Sequence, residues 1–144
     1  KNVVTINPSD WVLGSDTIVV NRNKILGKPK SFEDCQQMLS ALSNSKHQVM
    51  TAIAVINTDT VLSEVVVTDV VFRAITDDEI KHYWLSGEPQ DKAGSYGIQG
   101  LAGKFVKRIE GSYSSVVGLP LYETEQLLLK AKAQSKKLTF EGAK

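Results

Sequence analysis

Asp16 is the first residue whose type and setting suggest chemistry. It follows Gly14-Ser15 and precedes the apolar Ile18-Val19-Val20. A carboxylate beside an apolar stretch, where a glycine lets backbone approach a ligand, is suited to hold Mg²⁺ or orient a water. The other reading is a turn aspartate capping a strand. Lys28, in Gly27-Lys28-Pro29, offers a point charge to a phosphate or is a solvated lysine after a turn. Residues 91–103 hold a second group and four of the ten glycines in the chain. Glycine at that density permits positive-φ turns and close backbone approach. Asp91, Lys92 and Gln99 lie in this stretch. The lysine suits a phosphate, and the glutamine amide, both donor and acceptor, suits a base edge. The alternative is a loop that needs glycine only for shape. It does not end in Gly-Lys-Ser/Thr, so it is not a Walker loop, and the dinucleotide fingerprint spacing is missing.

Other polar residues read as structural. Glu64 and Asp69 are surface charges on strands. His47 and His82 have no partner pattern. Ser112, Ser114 and Ser115 lack the Gly-x-Ser-x-Gly context of a nucleophile elbow. Tyr83 and Trp84 sit at helical spacing and read as core.

The elements that must position these residues follow from periodicity and punctuation. Residues 12–20 are rich in β-branched types and predict a strand, and Asn21-Arg22-Asn23 predicts a hairpin turn after it. Lys28-Pro29 stops regular structure. Ser31 is a good N-cap, with Glu33 and Asp34 in the first turn, and Phe32, Cys35, Met38, Leu39 and Leu42 give one buried helical face ending near Ser43-Asn44. Residues 47–56 and 61–74 predict a long antiparallel hairpin across Asn57-Thr58-Asp59-Thr60. Val66, Thr68 and Val70 share one face of its second strand, and Val65, Val67 and Val71 share the other. Thr76 and Glu79 form a capping box for a short helix that Gly87 and Pro89 end. A strand over 105–109 follows, then a turn at Gly111-Ser112-Tyr113, then a last helix over 121–134 entered at Pro120. Residues 135–144, rich in lysine, are expected to fray. This order predicts an α/β (mixed α+β) fold: a central twisted mixed sheet with a long antiparallel hairpin and flanking helices.

The length, 144 residues, fits one domain over 1–144. Charge is nearly balanced, with 17 basic against 16 acidic residues, so no broad nucleic-acid or membrane field is expected. A small anionic ligand needs only a local cluster. One cysteine, Cys35, excludes an internal disulfide and a Cys-rich metal site and fits a reducing cytoplasm. No apolar run reaches the length of a membrane span. The opening Lys1-Asn2-Val3-Val4 is not a signal peptide. Without a Met at the start, the chain is expected to be a fragment or one whose earlier residues were lost.

Five blocks, in order, resemble the Maf (septum-formation inhibitor) family of nucleoside triphosphate pyrophosphatases. They are Gly14-Ser15-Asp16-Thr17-Ile18-Val19, Gly27-Lys28-Pro29, His47-Gln48-Val49-Met50-Thr51-Ala52, the run from Asp91-Lys92-Ala93-Gly94 through Ser95-Tyr96-Gly97-Ile98-Gln99-Gly100, and Gly111-Ser112-Tyr113-Ser114-Ser115-Val116-Val117-Gly118-Leu119-Pro120. The resemblance covers residues 12–129. It implies a Maf/inosine-triphosphatase-like fold and hydrolysis of a nucleoside triphosphate to its monophosphate and pyrophosphate with a divalent metal, Mg²⁺ or Mn²⁺. It implies that Asp16 is the general base or metal organiser, that Lys28 and Lys92 contact phosphates, and that Asp91 supports the metal or Lys92. Thr17 and Gln99 match positions linked to base choice, and Gly-Ile-Gln-Gly resembles the branch acting on dTTP and UTP. The resemblance also implies a cytoplasmic homodimer, nucleotide-pool housecleaning and an effect on septum formation. The Ser-x-Ser-Pro-Arg-Arg block of the family, with its positive charge for the triphosphate, does not appear before Val12. The alternative is therefore a catalytically impaired nucleotide-binding or regulatory relative.

Overall fold

The computed structural model describes the backbone of residues 2–7 and 11–142 and the side chains of residues 11–134. Its centre is the hairpin predicted from the two long β-branched runs. Strands β4 (Lys46–Ile56) and β5 (Val61–Phe72) pair without interruption from Lys46↔Val71 to Ile56↔Val61. Strand β2 (Trp11–Asn21) pairs with the other side of β4, and β6 (Val106–Glu110) with the far side of β5. The free edge of β2 carries two short strands, β1 (Asn2–Asn7) at one end and β3 (Lys24–Leu26) at the other. Every pairing among the described residues is antiparallel, where the sequence led us to expect a mixed sheet. The reason is local: the connections from β2 to β3 and from β4 to β5 are tight turns, which only antiparallel neighbours permit. The first uses Arg22 and Asn23 at φ 50° and 65°, as a hairpin of matching twist requires.

Helix α1 (Phe32–Leu42) starts where Ser31 accepts a hydrogen bond from the Asp34 amide at 3.1 Å. Helix α2 (Asp77–Leu85) starts on the predicted capping box, with Thr76 and Glu79 each bonding the backbone of the other. Two elements were not legible. β1 was not anticipated at all, and its side chains lie outside the described residues. A short helix, α3 (Tyr113–Val117), occupies what read as a turn, capped by Ser112 Oγ accepting from the Ser115 amide at 3.1 Å. The last helix, α4 (Leu121–Gly142), continues beyond the expected residue 134. The backbone is helical as far as Gly142, within the stretch 135–144 expected to fray.

One face of the sheet is covered in two patches. At one end α1, α2 and the Gly-rich loop bury Val19, Val49, Val70 and Phe72 against Leu39, Ile80 and Phe105. At the other, α4 packs Leu127 and Ala131 on Trp11, Leu13, Ile53 and Val55. Between the patches lies a polar band, Ser15, Thr17, Thr51 and Thr68. It is roofed by the backbone of residues 112–118: Thr51 Oγ1 donates to Ser115 O at 2.7 Å, Ser15 Oγ to Gly118 O at 2.6 Å, and the Ser112 amide donates to Thr68 Oγ1 at 3.1 Å. Buried hydroxyls are stable only when paired in this way. The period-2 alternation sends Val65 and Val67 to the opposite face, where they are exposed.

Candidate active site

The band ends in a cleft of about 700 Å³ between β2, residues 116–118 and the Gly-rich loop. Asp16, Thr17, Lys28, Asp91, Lys92 and Gln99, the residues singled out from the sequence, all line it. They come from three separate stretches of chain, and tertiary folding brings them together.

β2 delivers its two residues differently. Thr17 is in phase with Ser15 and Val19 and faces the covered side, where its hydroxyl lies 2.8 Å from that of Thr51. Asp16 is out of phase and exposed. It still borders the cleft. Among the described residues, pairing with β1 runs as far as Ser15 and pairing with β3 begins at Val19. Among the described residues, the Asp16 carboxylate makes no hydrogen bond or ion pair.

The Gly-rich loop reaches the cleft through three short turns, Glu88–Asp91, Ala93–Ser95 and Leu101–Phe105. Gly94 adopts φ 69° and lies flat on Val19, so a Cβ there would stand 2.9 Å from Val19 Cγ1. Its amide donates to Gly27 O at 3.1 Å, which ties the loop to the segment carrying Lys28. Lys92 Nζ and Asp91 Oδ1 are 3.0 Å apart. Hydrogen bonding from Lys92, and its charge, hold the Asp91 carboxyl below its ordinary range, with Lys28 adding a smaller attraction. Both lysines thus act on one corner of the cleft.

Two further residues were missed. Glu88 lines the cleft as a brace. It accepts from Tyr83 Oη at 2.6 Å and from the Leu101 amide at 2.9 Å. Burial alone would raise its pKa, but these hydrogen bonds and Lys92 outweigh burial and lower it. A Cβ at Gly100 would overlap the same carboxylate, so a side chain there would displace the Glu88 brace. The only sequence hint was a glutamate between Gly87 and Pro89, which reads as loop polarity. Tyr96 is the second, buried with its hydroxyl 2.6 Å from His47 Nε2. His47 is fully buried, and burial lowers its pKa from 6.5 to about 4. That agrees with the structural reading of this histidine.

Among the described residues, the carboxylates lining the cleft are Asp16, Glu88 and Asp91, of which Glu88 and Asp91 are engaged and Asp16 is not. Among the described residues no group of three or more His, Cys, Asp or Glu is placed to hold a metal ion. Asp16 and Asp91 offer carboxylate oxygens to the cleft, the ligand type a hard divalent ion takes together with phosphate oxygens and water.

The family model for Maf-like proteins matches residues 1–131. The chain belongs to the Maf family. It is 61% identical over 121 residues to a dTTP/UTP pyrophosphatase of Vibrio parahaemolyticus serotype O3:K6 (strain RIMD 2210633), covering 84% of this chain and 64% of the relative. It is 63% identical over 117 residues to one from Pseudoalteromonas translucida (strain TAC 125), covering 81% and 62%. A third, from Colwellia psychrerythraea (strain 34H / ATCC BAA-681), is 61% identical over 121 residues, covering 84% and 57%. This Maf-family chain thus spans about three fifths of the length of these relatives. Among the described residues no helix is long and apolar enough to cross a membrane.

Proposed function

We propose that this Maf-family chain is the core of a nucleoside triphosphate pyrophosphatase acting on dTTP and UTP. The observation that carries the reading is the meeting of Asp16, Thr17, Lys28, Asp91, Lys92 and Gln99 around one cleft. The names of the similar proteins support the choice of nucleotide.

In this reading Lys28 and Lys92 take the triphosphate. On binding, Lys92 exchanges its contact with Asp91 for phosphate oxygens. Asp16, which lines the cleft and makes no side-chain hydrogen bond among the described residues, accepts the proton of the attacking water. The bond to the α-phosphorus forms as the one to pyrophosphate breaks. A divalent ion held by Asp16, with Asp91 in support, would supply Lewis-acid neutralisation of the phosphate charge. Gln99 and Thr17 read the base. Uracil and thymine present acceptor, donor and acceptor along one edge, which an amide and a hydroxyl can match. Activity in the cytoplasm, a homodimeric assembly and a role in nucleotide-pool housecleaning or septum control belong to the same proposal.

The test is pyrophosphate release from dTTP, UTP, CTP and GTP with Mg²⁺, using this chain beside a version carrying the N-terminal Ser-x-Ser-Pro-Arg-Arg segment of the family. Release from dTTP and UTP by either form is the expected result. No release from any of the four by both forms would overturn the enzyme reading and leave a nucleotide-binding role.

A further inference from the structure

Thr51 is fully buried, and in the sequence it appeared only as part of the block His47–Ala52, with no role of its own. It sits opposite Thr17 in the β2–β4 register. Its hydroxyl touches two oxygens of different character. Ser115 O, 2.7 Å away, is a carbonyl and only accepts. Thr17 Oγ1, 2.8 Å away, is a hydroxyl that can do either. A threonine has one hydroxyl proton. Thr51 gives its proton to Ser115 O, so Thr17 must donate its own to Thr51. The direction of this chain, Thr17 to Thr51 to Ser115 O, is fixed by the carbonyl at its end. Ser15 Oγ bonds Gly118 O in the same roof, and the Gly118 amide donates to Ser115 O at 3.1 Å.

The consequence falls on the cleft. Thr17 lines it, yet its only polar hydrogen points inward to Thr51. What remains toward a ligand is lone pairs. Gly118 borders that oxygen, with a Cβ position 4.0 Å from Thr17 Oγ1.

We propose that Thr51 is a specificity-positioning residue that makes Thr17 an obligate hydrogen-bond acceptor, so that the cleft takes a pyrimidine bearing N3–H and rejects one bearing an unprotonated N3. Uracil and thymine carry the donor. Cytosine presents a lone pair there, which would meet the lone pairs of Thr17 with no proton between them. A buried polar pair left unmatched is costly, so the discrimination is large for so small a chemical difference. Guanine N1–H would also satisfy the acceptor, so uracil against cytosine, matched in size, is the pair that isolates the effect. This inference rests on the nucleotide reading above and adds the residue that sets its polarity.

The experiment measures equilibrium binding of α,β-imido-UTP and α,β-imido-CTP to this chain with Mg²⁺, in wild type, Thr51→Val and Thr51→Ser. Neither ligand can lose pyrophosphate, so turnover is not needed. Wild type is expected to prefer the uridine analogue by about tenfold or more, corresponding to one mismatched hydrogen bond. Thr51→Val frees the Thr17 proton to turn into the cleft, and the preference should fall to within about threefold. Thr51→Ser restores the chain and should restore the preference. A role in packing alone would weaken both ligands equally and leave their ratio unchanged. Should Thr51→Val not fold, the wild-type complex still decides: the uridine imino proton should show a nuclear Overhauser contact to the Thr17 methyl group. An unchanged ratio in Thr51→Val, no recovery in Thr51→Ser, or no such contact overturns this inference and leaves pyrophosphate release to stand or fall by its own assay. Wild type binding neither analogue overturns both.

Discussion

Asp16 lines the cleft out of phase with its neighbours on β2, exposed, and among the described residues its carboxylate has no partner. Asp16→Asn removes the charge at nearly constant shape. In whichever form of the protein releases pyrophosphate, it should lower kcat by at least about 100-fold, the lower end for a positioned base, with an unchanged circular dichroism spectrum. Unchanged turnover would remove Asp16 from the chemistry. His47 makes the opposite case, a titratable group kept neutral by burial. Its folded-state pKa is about 4 against 6.5 when unfolded. The unfolded chain therefore binds more protons between those values, and stability rises with pH across that window. Stability from His47 is complete above about pH 6.5 and is lost as the pH falls toward 4, by on the order of 3 kcal/mol. Urea melts at pH 7, 5.5 and 4.5 should show this slope, and His47→Gln should flatten it.

At the level of the elements, the Gly-rich loop is a packed structure and not a slack connection. Gly94 is pressed on Val19 with φ 69°, a conformation in which any side chain is strained. Gly94→Ala adds that strain to a 2.9 Å clash with Val19 Cγ1. We expect a loss of about 1–3 kcal/mol in chemical denaturation. Nucleotide affinity should fall too, because Asp91, Lys92 and Gln99 ride on the same loop. A variant as stable as wild type would mean that the loop can lift off β2 without cost. Helix α3 performs the matching task on the other wall. Its short length gives it little stability of its own. Its position comes from the hydroxyls of Ser15, Thr51 and Thr68 on the sheet beneath.

For the molecule as a whole, the sheet is asymmetric. One face carries both apolar patches and the polar band, while Val61, Val65 and Val67 are exposed on β5 at 64%, 60% and 50%. A row of that kind is an association hazard. Val65→Thr with Val67→Thr keeps β-branching and removes the apolar row, so stability should change by less than about 0.5 kcal/mol per site. Binding of a hydrophobic dye and light scattering should both decrease. A melting temperature several degrees lower would show that these valines contribute to packing.

Much of this protein was determined by its sequence alone. Helix starts at Ser31 and Thr76, the long hairpin and the tight turn at Arg22-Asn23 rest on interactions within a few residues or on a period of two, and local pattern encodes those directly. Asp16, Lys28, Asp91, Lys92 and Gln99 stood out as candidates because glycine-rich and charged blocks contrast with an apolar background, while Thr17 was singled out only through the family resemblance. Tertiary structure alone decided the rest. Thr51 and Thr68 are β-branched and pass as ordinary strand residues, and Glu88 passes as loop polarity. What distinguishes them is a partner 64, 44 or 13 residues away in the chain. Nor does sequence show which way a hydroxyl proton points, because that direction is set by the carbonyl folding brings to the far end of the chain.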